Sequence, residues 1–194
     1  MKISKKLRKE LIEWGAFLGI IGFLYISGLH TEVAGFVQRI VLSTGIIQPD
    51  VDENTFEELS TYNFKILSLE TNEVVAFSEF KGEVLFVNLW ATWCPPCIAE
   101  MPSIQKFYTE YKNKDMKFLL ISSEDDSEKI RKFLRRKNYD FPVYQLLSPL
   151  PSELVSRSIP TTFVIDKMGN IILRNTGMAN YNTEKFKSFI DDQL

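Results

Sequence analysis

Only two cysteines and one histidine occur among the 194 residues, and that scarcity closes several routes. A structural zinc site takes about four Cys, His or carboxylate ligands. Cys94, Cys97 and the distant His30 cannot supply one without help from another chain. Nor do two cysteines three positions apart make the disulfide framework of a small secreted domain. Excess positive charge is lacking too. The net charge is -2, and from Val51 onward acids outnumber bases by 21 to 17, which argues against nucleic acid as a partner. There is no internal repeat and no low-complexity tract. Long apolar runs are scarce: one, Trp14 to His30, is free of Asp, Glu, Lys and Arg.

What is present centres on residues 84–102. Val84 to Trp90 is short, continuous and rich in β-branched and aromatic residues, the pattern of a buried strand. Cys94-Pro95-Pro96-Cys97 follows, and proline suits a first helical turn, where no N–H partner is needed. Cys94 therefore falls at the helix N-terminus, where free N–H groups and the helix dipole favour a thiolate. Cys97, one turn on, is placed to close a disulfide with it. As a thiolate, Cys94 is the expected nucleophile that forms a mixed disulfide, and Cys97 the residue that resolves it. Glu100 lies one further turn along on the same side.

Leu89-Trp90-Ala91-Thr92-Trp93-Cys94-Pro95-Pro96-Cys97, with Ala99-Glu100-Met101-Pro102 after it, resembles the TlpA/ResA group of membrane-anchored thiol–disulfide oxidoreductases in the thioredoxin superfamily. Downstream, Ser158-Ile159-Pro160-Thr161-Thr162-Phe163-Val164-Ile165-Asp166 resembles that family's cis-proline segment and the strand after it. The likeness covers about residues 62–194. It implies a thioredoxin-like α/β fold with a central mixed β-sheet flanked by helices. It also implies a redox-active Cys94–Cys97 disulfide and a cis Ile159–Pro160 bond facing it. Taken alone, Pro160 would read as a turn or strand-edge proline, since only ~5–6% of X–Pro bonds are cis. Trp93, Pro95, Pro96, Ile159 and Pro160 would form the substrate surface. Glu100, matching a family glutamate near the thiols, would exchange protons with Cys97; the alternative is an ordinary exposed helix glutamate. Asn88 departs from thioredoxin itself, which has a titratable aspartate at that place. No cofactor and no metal are expected.

The same resemblance implies protein thiol or disulfide substrates, apocytochrome c among them, and a membrane electron donor of the DsbD/CcdA type. A disulfide-donating oxidase on the same fold is the main alternative, since fold and motif do not set the direction of electron flow. A peroxiredoxin would need Pro and Thr where Val87 and Ala91 stand. A copper assembly factor would need a wider cysteine spacing and a histidine in the domain.

Around this core the chain divides into five parts. Residues 1–10 form a basic tail expected in the cytoplasm, and 11–30 are expected to be an uncleaved transmembrane anchor, with the remainder periplasmic or otherwise extracytoplasmic. Residues 31–47 read as an amphipathic helix on the membrane surface, or else docked on the globular domain or on a partner. Residues 48–60 are an acidic linker, and 61–194 the thioredoxin-like domain. Within that domain the pattern predicts hairpins over 64–77 and 162–175, and a strand at 117–122 parallel to 84–90. Glu124, Asp125, Asp126 and Glu128 precede Lys129, Arg131, Lys132, Arg135, Arg136 and Lys137, acids at the start of an expected helix and bases toward its end, which suits the helix dipole and a solvated face. A last helix begins near Thr183.

Overall fold

The computed structural model describes residues 5–27, 29–45, 47–51 and 57–194. Eight strands form one sheet: β1 (Glu57–Glu58), β2 (Lys65–Ser68), β3 (Val74–Ala76), β4 (Val84–Trp90), β5 (Met116–Ser122), β6 (Val143–Leu146), β7 (Thr161–Ile165) and β8 (Asn170–Thr176). Their order is β1-β8-β7-β4-β5-β6-β2-β3. Helices α3 (Pro95–Tyr111) and α4 (Ser127–Lys137) join β4 to β5 and β5 to β6, and both strand pairs are parallel, as intervening helices require. The remaining pairs are antiparallel, including the β2–β3 and β7–β8 hairpins. Asn72 (φ 60°) and Gly169 (φ 95°) provide the left-handed backbone that those two turns need. α5 (Glu184–Asp191) closes the chain, capped by the Thr183 hydroxyl, which accepts from Phe186 N. The result is the central mixed sheet with flanking helices that the motifs imply.

β4 is buried along its whole length and organises the core. Its alternate side chains face opposite sides of the sheet. Val84, Phe86 and Trp90 join Ile104 and Phe107 of α3, Phe133 of α4, and Phe186 and Ile190 of α5. Leu85, Val87 and Leu89 pack the other face with Phe64, Phe77, Leu154 and Phe163. By the same alternation Asn88 points to the helical side, beneath α3, and it pairs in register with Thr162 of β7.

Three sequence expectations differ from what the structure shows. The transmembrane anchor expected over 11–30 finds no support: among the described residues no helix is long and apolar enough to cross a membrane. Helix α1 (Lys5–Ile26) includes Lys9, Glu10 and Glu13. Its uncharged part, Trp14–Ile26, reaches about 20 Å against a ~30 Å hydrocarbon core. Residues 5–10 of the basic tail lie in this helix, and residues 1–4 lie outside the described residues.

The linker is shorter than 48–60, because Glu57–Glu58 pairs with β8 as an edge strand and Leu59 is buried in the core. Residues 52–56 lie outside the described residues. Glu124, read as part of a solvated acidic start to α4, is buried. The amphipathic segment forms α2 (Leu29–Ser43), which packs on α3 through its small face. A Cβ at Gly35 would lie 3.2 Å from Ile98 Cγ2 and Pro95 O, and Leu42 is buried. Val33, Phe36, Val37, Ile40 and Val41 remain exposed on the opposite face.

Candidate active site

The buried strand β4 ends at Trp90, and three residues turn the chain into α3. Cys94 is the N-cap, with extended backbone (φ -96°, ψ 105°), and Pro95 opens the first turn. Cys94 Sγ accepts from the Cys97 N–H at 3.3 Å, using one of the free N–H groups that every helix start leaves. The two sulfurs form a disulfide at 2.25 Å. Cys94 is 4% exposed and Cys97 is fully buried, whereas Trp93 is 54% exposed beside them. Pro95 and Pro96 are half-buried on the same rim.

Across the cysteines lies the loop before β7. The Ile159–Pro160 peptide bond is cis. Ile159 O lies 3.7 Å from Cys94 Sγ, so the structure brings the two sequence motifs together at one sulfur. Pro160 O accepts from Gly177 N at 2.9 Å, which ties this loop to the end of β8.

Glu100 is fully buried. The reading of it as an exposed helix residue is therefore excluded. Its Oε1 accepts from Asn88 Nδ2 at 2.8 Å, and its Oε2 accepts from Ala179 N at 3.2 Å. Burial pushes this carboxyl up to about 8, against the pull of those two hydrogen bonds. Asn88 Nδ2 also donates to Thr162 Oγ1 at 2.9 Å, which accepts in turn from Tyr181 OH at 2.6 Å. Desolvation, with the Glu100 charge second, raises the Tyr181 phenol well above its ordinary range, so it stays a donor.

Sequence reasoning singled out Asn88 only as an amide that cannot titrate, quoted Thr162 only as part of the cis-proline segment, and gave Tyr181 and Ala179 no role. The strand alternation that turns Asn88 toward α3 was the available signal. The other three lie 74 or more residues from Asn88 or Glu100, where no local pattern reaches. Among the described residues, no cluster of His, Cys, Asp and Glu is arranged to hold a metal ion.

A buried disulfide at a helix start, facing the Ile159 carbonyl just before a cis proline, is suited to thiol–disulfide exchange. The redoxin family pattern matches residues 53–189. This chain belongs to the redoxin family. Within it, the redoxin is 33% identical over 172 residues to the thiol-disulfide oxidoreductase ResA of Geobacillus kaustophilus, covering 88% of this chain and 87% of that protein. It is 31% identical over 131 residues to ResA of Halalkalibacterium halodurans, covering 66% of this chain and 73% of the relative. Among solved structures, a candidate thiol-disulfide oxidoreductase from Bacteroides vulgatus is 30% identical with a TM-score of 0.56, covering 68% of this chain and 92% of that one. The redoxin is thus a ResA-like thiol–disulfide oxidoreductase with a thioredoxin-like fold, and Cys94–Cys97 is its cysteine pair.

Proposed function

We propose that this redoxin is a reductant of protein disulfides, working outside the cytoplasm. The Cys94 thiolate attacks one sulfur of a substrate disulfide, forming a mixed disulfide and expelling a substrate thiolate. Cys97, once deprotonated, attacks Cys94 Sγ and expels the second substrate thiolate. The substrate has gained two electrons and the protein is left with the Cys94–Cys97 disulfide. Glu100 exchanges the Cys97 proton, accepting it through its ionised fraction, since a carboxyl pushed up to about 8 titrates near neutral pH. Ile159, beside the cis Pro160, offers its backbone to an extended substrate segment, with Trp93, Pro95 and Pro96 on the facing rim.

The observation that supports the reducing direction is burial, which opposes a Cys94 thiolate even where the helix start favours it. Both sulfurs are buried, and among the described residues Cys94 Sγ accepts one N–H, from Cys97. A strong oxidant such as DsbA owes its potential to a stabilised reduced form. A site that stabilises the thiolate weakly favours the disulfide instead and gives its electrons away. The test is the reduction potential of the Cys94/Cys97 couple, measured in dithiothreitol or glutathione buffers. The expected value is about −270 mV or lower, and one near −120 mV would make the protein a disulfide donor.

A two-electron donor must restore the dithiol, and a membrane thiol donor of the DsbD/CcdA type fits that need. Apocytochrome c, whose haem-binding cysteines must be reduced before attachment, is the proposed substrate. Attachment to the membrane is assigned to α1, supported by its exposed Trp14, Leu18, Phe23 and Ile26, and to the outer face of α2.

A further inference from the structure

Thr92 belongs to no regular element, yet one carboxylate holds it at two points. Thr92 N donates to Glu124 Oε2 at 2.6 Å, and Thr92 Oγ1 donates to Glu124 Oε1 at 2.8 Å. Glu124 follows β5 and is itself fastened from several sides. Its N–H donates to Ser122 Oγ at 3.2 Å, and its carbonyl accepts from Gln145 Nε2 of β6 at 2.7 Å. Ser127 Oγ holds the other end of the Gln145 amide at 2.5 Å. Lys129 of α4 places Nζ 2.5 Å from Oε1, which offsets the buried negative charge. Just before it, Ser123 N donates to Trp90 O at 3.0 Å, so the β4–β5 pairing continues to the edge of the turn.

Nothing in the exchange chemistry uses this carboxylate, and a helix-start acid would be expected in solvent. Its burial against the turn that delivers Cys94 has a mechanical meaning. Residues 91–94 must bring the chain out of a strand and stop with Cys94 Sγ aimed at Cys97 N and close to Ile159 O. Cys94 N donates to Ala91 O at 3.3 Å, a single internal bond in that turn. The two bonds from Glu124 tie the turn to β5, β6 and α4.

We propose that Glu124 is a positioning residue for Cys94, acting through Thr92: it clamps the β4–α3 turn so that the attacking sulfur is held at the helix cap. The inference rests on Cys94 being the attacking sulfur. Hydrogen bonding is what matters in the clamp, since a glutamine can accept from Thr92 N and donate to a reversed Thr92 hydroxyl. The carboxylate's charge is spent on Lys129.

The test uses the full chain with Cys97→Ser, so that Cys94 alone reacts with an aromatic disulfide reagent, followed by stopped-flow absorbance. Glu124→Ala is expected to slow the reaction about tenfold, as a displaced reacting group does. Glu124→Gln should retain the rate to within about threefold, and Thr92→Val, which keeps only the backbone bond, should fall between. Circular dichroism and the melting temperature report folding separately. A folded Glu124→Ala protein reacting within twofold of its parent overturns the clamp. So does a Glu124→Gln protein as slow as Glu124→Ala, because charge would then be the cause. If Glu124→Ala does not fold, Thr92→Val decides: an unchanged rate overturns the proposal. A Cys97→Ser parent that does not react, beside a reactive Cys94→Ser protein, marks instead the failure of Cys94 as nucleophile.

Discussion

Glu100 has lost its water without gaining a cation, and its pH behaviour follows from that. Its folded-state carboxyl sits at about 8 against 4.5 in the unfolded chain, so the folded protein binds the extra proton between those values. Its contribution to stability is full below about 4.5 and is lost as the pH rises through about 8. Glu100→Gln is therefore expected to flatten the stability–pH curve over that window, and to gain several kcal/mol relative to the parent at the alkaline end. Urea unfolding at pH 5, 7 and 9 checks it, and parallel curves for the two proteins would refute the assignment. Removing the amide donor has the opposite sense. Asn88→Ala should push the Glu100 titration further up, and cost about 1–3 kcal/mol for the buried partners left unpaired. A carboxyl-resolved NMR titration reads the shift. The helical spacing from Cys97 to Glu100 was legible in the chain. Its burial was not, because Asn88 and Ala179 come from 12 residues before and 79 after.

Elements were legible wherever a local pattern carried them. β4 was marked by unbroken apolar residues, α3 by its prolines, and the β7–β8 turn by Gly169. α5 shows how such local devices are worth testing. Thr183→Ala removes the hydroxyl that accepts from Phe186 N and should cost about 1 kcal/mol, seen as a lower urea midpoint with an unchanged slope. α2 illustrates what periodicity leaves open. Its apolar residues follow helical spacing, but the face that meets α3 is the one bearing Gly35 and Leu42. Packing there depends on how closely two backbones approach. Gly35→Val would drive methyl groups into Ile98 and Pro95 O, at a cost of about 1–3 kcal/mol if the helix stays docked. The expected response is faster hydrogen exchange across α2, with the β4–β5 amides unchanged.

For the molecule as a whole, the exposed apolar side chains along α1 depart from an ordinary water-facing exterior. Under the proposed attachment through α1, replacing Leu18, Ile21 and Phe23 together by Ser should shift the protein from the membrane fraction to the soluble fraction while leaving disulfide exchange at Cys94 intact. Unaltered membrane partition of that variant would remove α1 as the attachment. Membrane attachment and the disulfide chemistry are separable on this view, because among the described residues no α1 side chain belongs to the Cys94 site.

By itself the sequence determined the chemistry: two cysteines one helical turn apart, behind a buried strand and at a proline-led helix start, form a reactive pair wherever the domain is placed. It also determined most elements, since strand alternation and helix punctuation are properties of neighbouring residues. Only the tertiary structure decided what surrounds the sulfurs. Ile159 reaches Cys94 across 65 residues, Glu124 reaches Thr92 across 32, and the edge strand β1 is defined by residues of β8 more than a hundred positions away. These contacts depend on strand order and on the removal of water, and neither is encoded within any short stretch of chain.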